Sequence, residues 1–310
     1  MKTSLRILAG AGLLAALGTA LAGIPASAQS LASVTFPDGQ LIPNGQFLSV
    51  NGSDGTAAQT GTFAAGVRPD GLAAYNGSLY TFDAGSNSLL QLNAATGAPV
   101  TSYSVSLSGI TGPVAPGGLA ISSSGLAFLA VPLANSSQTS PSSALFIFGL
   151  TGGPALSLGR TNDLLSSLAF SANDTLYGLG KGDGQLYTIN TADASATLVG
   201  SLGSLTIQDP FNPGATTTTP IDSDPIGALG FSGGTLYAAA DGNLYTVSTT
   251  TGAATVVNPS LVNTGFGGNF ANVSGLASAP VPEASSVASF GALLALGGLF
   301  LVRRRKPQPE

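Results

Sequence analysis

The chain predicts an all-β fold, a β-propeller of about five four-stranded blades, and three observations carry that expectation. A Leu-centred motif recurs along the middle of the chain, the same order of strand-like pieces follows each recurrence, and tight-turn dipeptides join those pieces.

The motif appears as Gly71-Leu72-Ala73, Gly118-Leu119-Ala120, Ser167-Leu168-Ala169, Ala228-Leu229-Gly230 and Gly275-Leu276-Ala277, at spacings of 47, 49, 61 and 47 residues. The long interval contains an inserted loop over residues 204–224, which holds Pro210, Pro213, the run Thr216 to Thr219, and Pro220. A period in the forties is the mark of a repeat architecture.

Each motif is read as a first strand, and three more pieces follow it. The second is Leu79-Tyr80, Leu126-Ala127-Phe128, Leu176-Tyr177 or Leu236-Tyr237. The third is Leu89 to Leu92, Ala144 to Ile147, Leu186 to Ile189 or Leu244 to Val247. A turn near Gly97, Gly152, Asp193 or Gly252 then opens a fourth: Pro99 to Val105, Ala155 to Leu158, Ala196 to Val199 or Ala253 to Val257. Turns such as Asn76-Gly77 and Asp241-Gly242 favour tight antiparallel hairpins. One four-stranded meander cannot bury both of its faces, and stacking such units radially solves this.

The fifth Leu strand, at Leu276, has no continuation before the tail, whereas Val34-Thr35-Phe36 and Gln46 to Val50 lack a first strand. The expectation is a fifth blade closed by both ends of the domain, with Leu276-Ala277 as its inner strand. A two-sheet sandwich is the structural alternative, and it explains the regular spacing less well.

Both termini read as targeting segments. Lys2 and Arg6 precede an apolar run from Ile7 to Ala22, and Ala26-Ser27-Ala28 offers small residues to signal peptidase. This is the pattern of a signal peptide over residues 1–28, cut before Gln29 with Ala26 and Ala28 as the cleavage determinants. At the other end, residues 284–302 run for 19 residues without a charge, close to the ~20 needed to cross a bilayer as a helix. Arg303, Arg304, Arg305 and Lys306 follow at once. Basic residues favour the cytoplasmic side, which leaves residues 30–280 outside. Hydrophobicity alone describes a plain membrane anchor equally well.

Val281-Pro282-Glu283, a small-residue spacer, one Gly/Ala/Leu-rich segment and the terminal Arg cluster together resemble the PEP-CTERM sorting signals of Gram-negative bacteria. Ala284 stands where that family usually has a second Pro. The resemblance covers about residues 280–306. It implies recognition of residues 281–310 by a membrane-embedded exosortase-type enzyme, delivery to the cell envelope or surface, and a setting rich in exopolysaccharide. The phrases Leu186 to Thr191 and Thr251 to Val256 likewise resemble repeats of secreted bacterial propeller-like domains, a likeness that implies no activity.

The body, residues 29–280, carries three cations, Arg68, Arg160 and Lys181, against twelve Asp, a net charge of −9. Such a surface repels polyanions and argues against nucleic-acid binding. Cys is absent, which removes disulfides and thiolate chemistry, and His is absent, which removes Ser-His-Asp systems and His-ligated metal or haem.

The remaining candidates are few. Lys181 lies in the glycine-rich stretch Gly178 to Gly184, which joins two strands rather than opening a helix as a P-loop must. Asp222 and Asp224, in the inserted loop, are the closest pair for a glycosidase-type mechanism, which needs two carboxylates about 5–10 Å apart. The bland reading makes them solvated turn residues, and most other Asp residues sit beside Gly or Asn, where they bond their own backbone. No calcium loop is present, so neither a catalytic nor a metal residue is assigned and no cofactor is expected. Tyr80, Tyr177, Tyr187, Tyr237 and Tyr245 occupy equivalent strand positions and read as blade packing, leaving Tyr75 and Tyr103 less constrained.

The sequence therefore points to an exported, non-catalytic structural or interaction protein of the envelope or extracellular matrix, whose partners are a sorting enzyme, the membrane, and exopolysaccharide or envelope proteins. The alternative is a carboxylate-dependent polysaccharide hydrolase or lyase on a propeller scaffold.

Overall fold

Runs of apolar and β-branched residues, cut at short intervals by Gly, Asn and Asp, leave little choice but short strands and tight turns. A computed structural model describes residues 30–37, 44–110, 114, 117–133, 142–208, 216–222, 227–258 and 272–279, and every regular element among them is a strand. The first three are β1 (Ser30–Thr35), β2 (Gln46–Asn51) and β3 (Ala57–Thr62). Next come β4 (Pro69–Tyr75), β5 (Ser78–Asp83), β6 (Ser88–Leu92) and β7 (Pro99–Leu107). The following unit is β8 (Leu119–Ile121), β9 (Leu126–Leu133), β10 (Ser142–Gly149) and β11 (Gly152–Arg160). Then follow β12 (Leu165–Phe170), β13 (Leu176–Gly180), β14 (Gln185–Ile189) and β15 (Ala196–Ser201). A hairpin, β16 (Ser204–Gln208) and β17 (Thr216–Pro220), precedes β18 (Ala228–Ser232), β19 (Thr235–Ala240), β20 (Asn243–Val247) and β21 (Ala254–Val256), and β22 (Val273–Ser278) ends the series.

Four units pair in sequence order as antiparallel meanders: β4 to β7, β8 to β11, β12 to β15 and β18 to β21. A fifth group has the order β22-β1-β2-β3, so the last strand is its inner member. Leu31 faces Ser278 and Ala32 faces Ala277 across that seam. A short parallel pairing of β11 with β7, Gly153 opposite Val105, merges two meanders into one eight-stranded sheet. The inner strands contact one another in a ring, β22 on β4, β4 on β8, β8 on β12, β12 on β18 and β18 on β22. The architecture is β-propeller-like, not two sheets packed face to face.

The repeated motif explains the ring. A Cβ on Gly118, whose φ is +96°, would lie 2.5 Å from the backbone nitrogen of Leu168 in the next inner strand. A Cβ on Gly275 would lie 2.5 Å from the carbonyl carbon of Gly71. The motif glycine is thus where one inner backbone touches its neighbour, an approach that only a missing side chain allows. At the third motif Ser167 replaces Gly, and its Oγ accepts the N–H of Leu229 at 2.8 Å from a buried position.

The motif leucines fill the spaces between meanders. Leu72 packs with Val34, Phe47, Leu79 and Leu90, and Leu168 packs with Phe128, Leu145, Leu176 and Tyr187. All five are at most 2% exposed. Full burial of a leucine is worth roughly 1.5–3 kcal/mol, so the conserved-looking spacing is a packing requirement within this one chain.

Two sequence expectations need correction. Residues 204–224, read as an inserted loop, contain the β16–β17 hairpin, in which Thr206 pairs with Thr218. The polar, largely exposed strand β3, Ala57–Thr62, was not foreseen, because an outer strand with water on one side carries little apolar pattern. The segments 1–28 and 281–310, including the expected helix 284–302, lie outside the described residues. Among the described residues no helix is long and apolar enough to cross a membrane.

Candidate functional site

The topology sorts the loops by position. Every inner strand runs in the same sense, so links from second to third strands, and from each meander to the next inner strand, gather at one end of the ring. Turns between first and second strands gather at the other end. Turns between third and fourth strands lean on the preceding meander, as where Gly159 abuts Asp193 and Gly200 abuts Gly252.

Charge follows this division. Arg68, Asp70, Asp83, Arg160, Asp163, Lys181, Asp183, Asp222 and Asp241 all lie at the link end. Of the described charged residues, only Asp54, Asp174 and Asp193 lie elsewhere. Asp54 and Asp193 serve their own turns, accepting the Thr56 and Ser195 N–H groups at 2.9 Å each, and Asp174 reaches the neighbouring meander's turn, accepting the Ser123 N–H at 2.8 Å. Bonds from Thr56, Ser195 and Ser123 hold their carboxyls below the usual range.

At the link end the carboxylates have different surroundings. Asp70, at the start of β4, is fully buried, and its Oδ2 accepts the N–H groups of Gly117 at 2.9 Å and Gly118 at 3.4 Å. Its Oδ1 has no hydrogen-bond partner. Burial pushes its carboxyl up to about 7, against the lowering effects of those two N–H groups and of the Lys181 charge. Asp83 caps its own loop through Gly85 and accepts the Arg68 N–H at 2.8 Å, while the Arg68 guanidinium stands 4.6 Å above the Phe36 ring.

Where the meander β12 to β15 meets β18 to β21 at this end, two pairs of acids form a row, drawn together where Gly184 abuts Ile221 and Asp222. The Tyr187 hydroxyl lies 2.8 Å from Asp163 Oδ2 and 2.7 Å from Asp183 Oδ2. One O–H proton serves two carboxylates there, and burial together with those carboxylates pushes the phenol up, so it stays protonated. Further along, the Asp222 N–H donates to Asp241 Oδ2 at 3.1 Å. Burial first, and then the Asp222 carboxylate, push Asp241 up to about 6. Among the described residues no group of three or more acids is placed to hold a metal ion.

The ring encloses an axial cavity of about 140 Å3, lined by Leu72, Leu119, Leu168, Gly230 and Leu276 with their neighbours toward the turn end. Phe170, Phe231 and Ser278 stand at its rim. None of the described Asp side chains lines it.

Asp222 therefore meets Asp241 rather than the axial cavity, and Asp224 lies outside the described residues. So do the sorting motif Val281, Pro282 and Glu283, the cluster Arg303, Arg304, Arg305 and Lys306, and the cleavage residues Ala26 and Ala28. Lys181 sits in the turn between β13 and β14, as the sequence indicates. Sequence reasoning missed three features. Asp70 is no solvated turn residue but a buried clamp, and the Pro69-Asp70-Gly71 context gave no sign of this. Tyr187 packs in its blade as foreseen, at 5% exposure, but its hydroxyl also organises Asp163 and Asp183. The recurrence of Asp-Gly-x-Leu-Tyr, at Asp183 and Asp241, was the signal available for the acid row.

No protein-family model matches the chain, and no curated protein does. Solved structures that it is similar to include the following two. A chain of a nidogen/laminin complex is 12% identical, with 76% of this chain and 77% of that chain covered and a TM-score of 0.43. A protein of unknown function from Bacteroides caccae is 11% identical, with 76% and 75% covered and a TM-score of 0.40.

Proposed function

We propose that this chain is an exported, non-catalytic scaffold or interaction protein of the cell envelope or extracellular matrix, built as a closed five-bladed propeller. In this reading residues 1–28 direct export and residues 281–310 serve as a sorting signal that an exosortase-type enzyme recognises in the membrane. The charged link end is the surface offered to exopolysaccharide or to envelope proteins. The observation that carries the reading is the gathering at that one end of seven charged residues that water reaches, Arg68, Arg160, Asp163, Lys181, Asp183, Asp222 and Asp241. Localised polar groups on a rigid ring suit recognition, since rigid elements hold contacts without paying for loop order.

The test is the intact mass of the protein from its native host, combined with separation of inner membrane, outer membrane and medium. A species that starts near Gln29, ends between Pro282 and Ser286, and lies away from the inner membrane is the expected result. A mature species that keeps Arg303 to Glu310 in the inner membrane overturns sorting.

One observation favours a second reading, a carboxylate-dependent polysaccharide hydrolase or lyase. Asp222 lies beside Asp241, whose carboxyl is pushed up to about 6, and a carboxyl raised by burial beside a second one can serve as a general acid. Polysaccharide turnover that disappears in the Asp222→Ala/Asp241→Ala double variant establishes this reading instead.

A further inference from the structure

Both ends of the folded body leave it at the same place. β22 runs to Ser278, which faces Leu31 at the start of β1, and the Ala279 N–H donates to the Ser30 carbonyl at 3.0 Å. Ser278 also stands at the rim of the axial cavity, on the turn end of the ring. The charged link end is opposite.

Five residue steps separate Ala279 from Ala284, where the uncharged stretch begins. A fully extended chain covers at most about 3.6 Å per residue, so that stretch starts no more than about 18 Å from the turn end. Strands of six residues, such as β1 and β5, span about 20 Å at roughly 3.3 Å per residue. The tether is thus no longer than the body is tall, and it is attached to one end only.

We infer that, in the membrane-bound precursor, the turn end of the propeller lies against the lipid surface and the charged link end points away from it. This rests on the proposal that residues 284–302 anchor the chain. The arrangement presents Asp163, Asp183, Asp222, Asp241 and Lys181 to partners beyond the membrane. Attraction between charges does not produce it. The charged residues described on that side of the strands are acids, Asp174, which is bound to Ser123, and Asp54 and Asp193 in turns between third and fourth strands. Tether length and attachment point set the orientation, so it does not depend on salt.

The absence of cysteine makes the test direct. Single-cysteine variants of the full chain, Ala172→Cys and Ser124→Cys at the turn end and Ala65→Cys and Ser86→Cys at the link end, are labelled with a fluorophore. All four positions are exposed. The chains are reconstituted into phosphatidylcholine/phosphatidylglycerol vesicles that carry an energy acceptor on the lipid headgroup. Labels at 172 and 124 are expected to lose the larger share of their emission, with the difference unchanged between low and high salt. Equal or reversed losses in vesicle-bound protein overturn the orientation alone. Failure of the full chain to float with the vesicles overturns the anchoring proposal and the orientation with it.

Discussion

Asp70 Oδ2 accepts the Gly117 N–H at 2.9 Å, joining two neighbouring inner strands through a fully buried carboxyl. Burial of this group, with Oδ1 unpaired, favours its protonated form. A carboxyl at 3.8 in the unfolded chain and about 7 in the fold stabilises the folded state fully below about pH 4, and that contribution is lost as pH rises through 7. The shift corresponds to about 4 kcal/mol. Urea midpoints are expected to fall from pH 4 to pH 7.5 in the wild type and to change much less in Asp70→Asn. Asp54, Asp174 and Asp193, held below the usual range, act in the opposite direction and only at more acid pH. Equal pH profiles for wild type and Asp70→Asn count against this account.

Gly118→Ala tests the close approach of inner strands. The new Cβ meets backbone of Ser167 and Leu168 at 2.5 Å, at a φ of +96°. Overpacking against backbone and the left-handed conformation together are expected to cost about 3 kcal/mol or more. Gly77→Ala is the control, with φ +75° and nothing within 4 Å. It carries only the conformational cost, about 1 kcal/mol. Denaturant midpoints that rank the two variants the other way refute the packing argument.

Ser167→Ala removes the acceptor of the Leu229 N–H. A buried donor left unpaired costs about 1–3 kcal/mol. Amide hydrogen exchange is expected to show loss of protection at Leu229, a readout that distinguishes this bond from a general loss of stability.

Tyr187→Phe takes away the one proton that stands between Asp163 and Asp183. Each Oδ2 then loses its donor, while Asp183 Oδ1 keeps the Gln185 N–H at 3.0 Å, and the loss is expected to be about 1–2 kcal/mol. Thermal melts of wild type and variant decide the point, and equal midpoints count against a role for the hydroxyl.

The blade strands were legible because period and pattern report packing. Leu72, Leu119, Leu168, Leu229 and Leu276 recur since each fills the same space between neighbours, and the Gly-rich turns recur since each reverses the chain. β3 was not legible, because Ala57–Thr62 has water on one side and no apolar signal. The acid row was not legible either. Asp163, Asp183, Asp222 and Asp241 are up to 78 positions apart in the chain, and Asp in a loop has the same local chemistry whether it caps a turn or meets another carboxylate.

The amino-acid sequence by itself determined the all-β class, the repeat, the identity of Leu276-Ala277 as the strand that joins the two chain ends, and the acidic, histidine-free and cysteine-free chemistry. These are properties of composition and of short-range pattern, which residue type alone controls. Only the tertiary structure decided that Asp70 is a buried clamp, that Tyr187 lies between two carboxylates, and that nine of the twelve described charged residues stand at the end of the ring opposite Ser30 and Ser278. Those relationships arise when closure of the ring brings distant links together, and burial then changes what a carboxyl does.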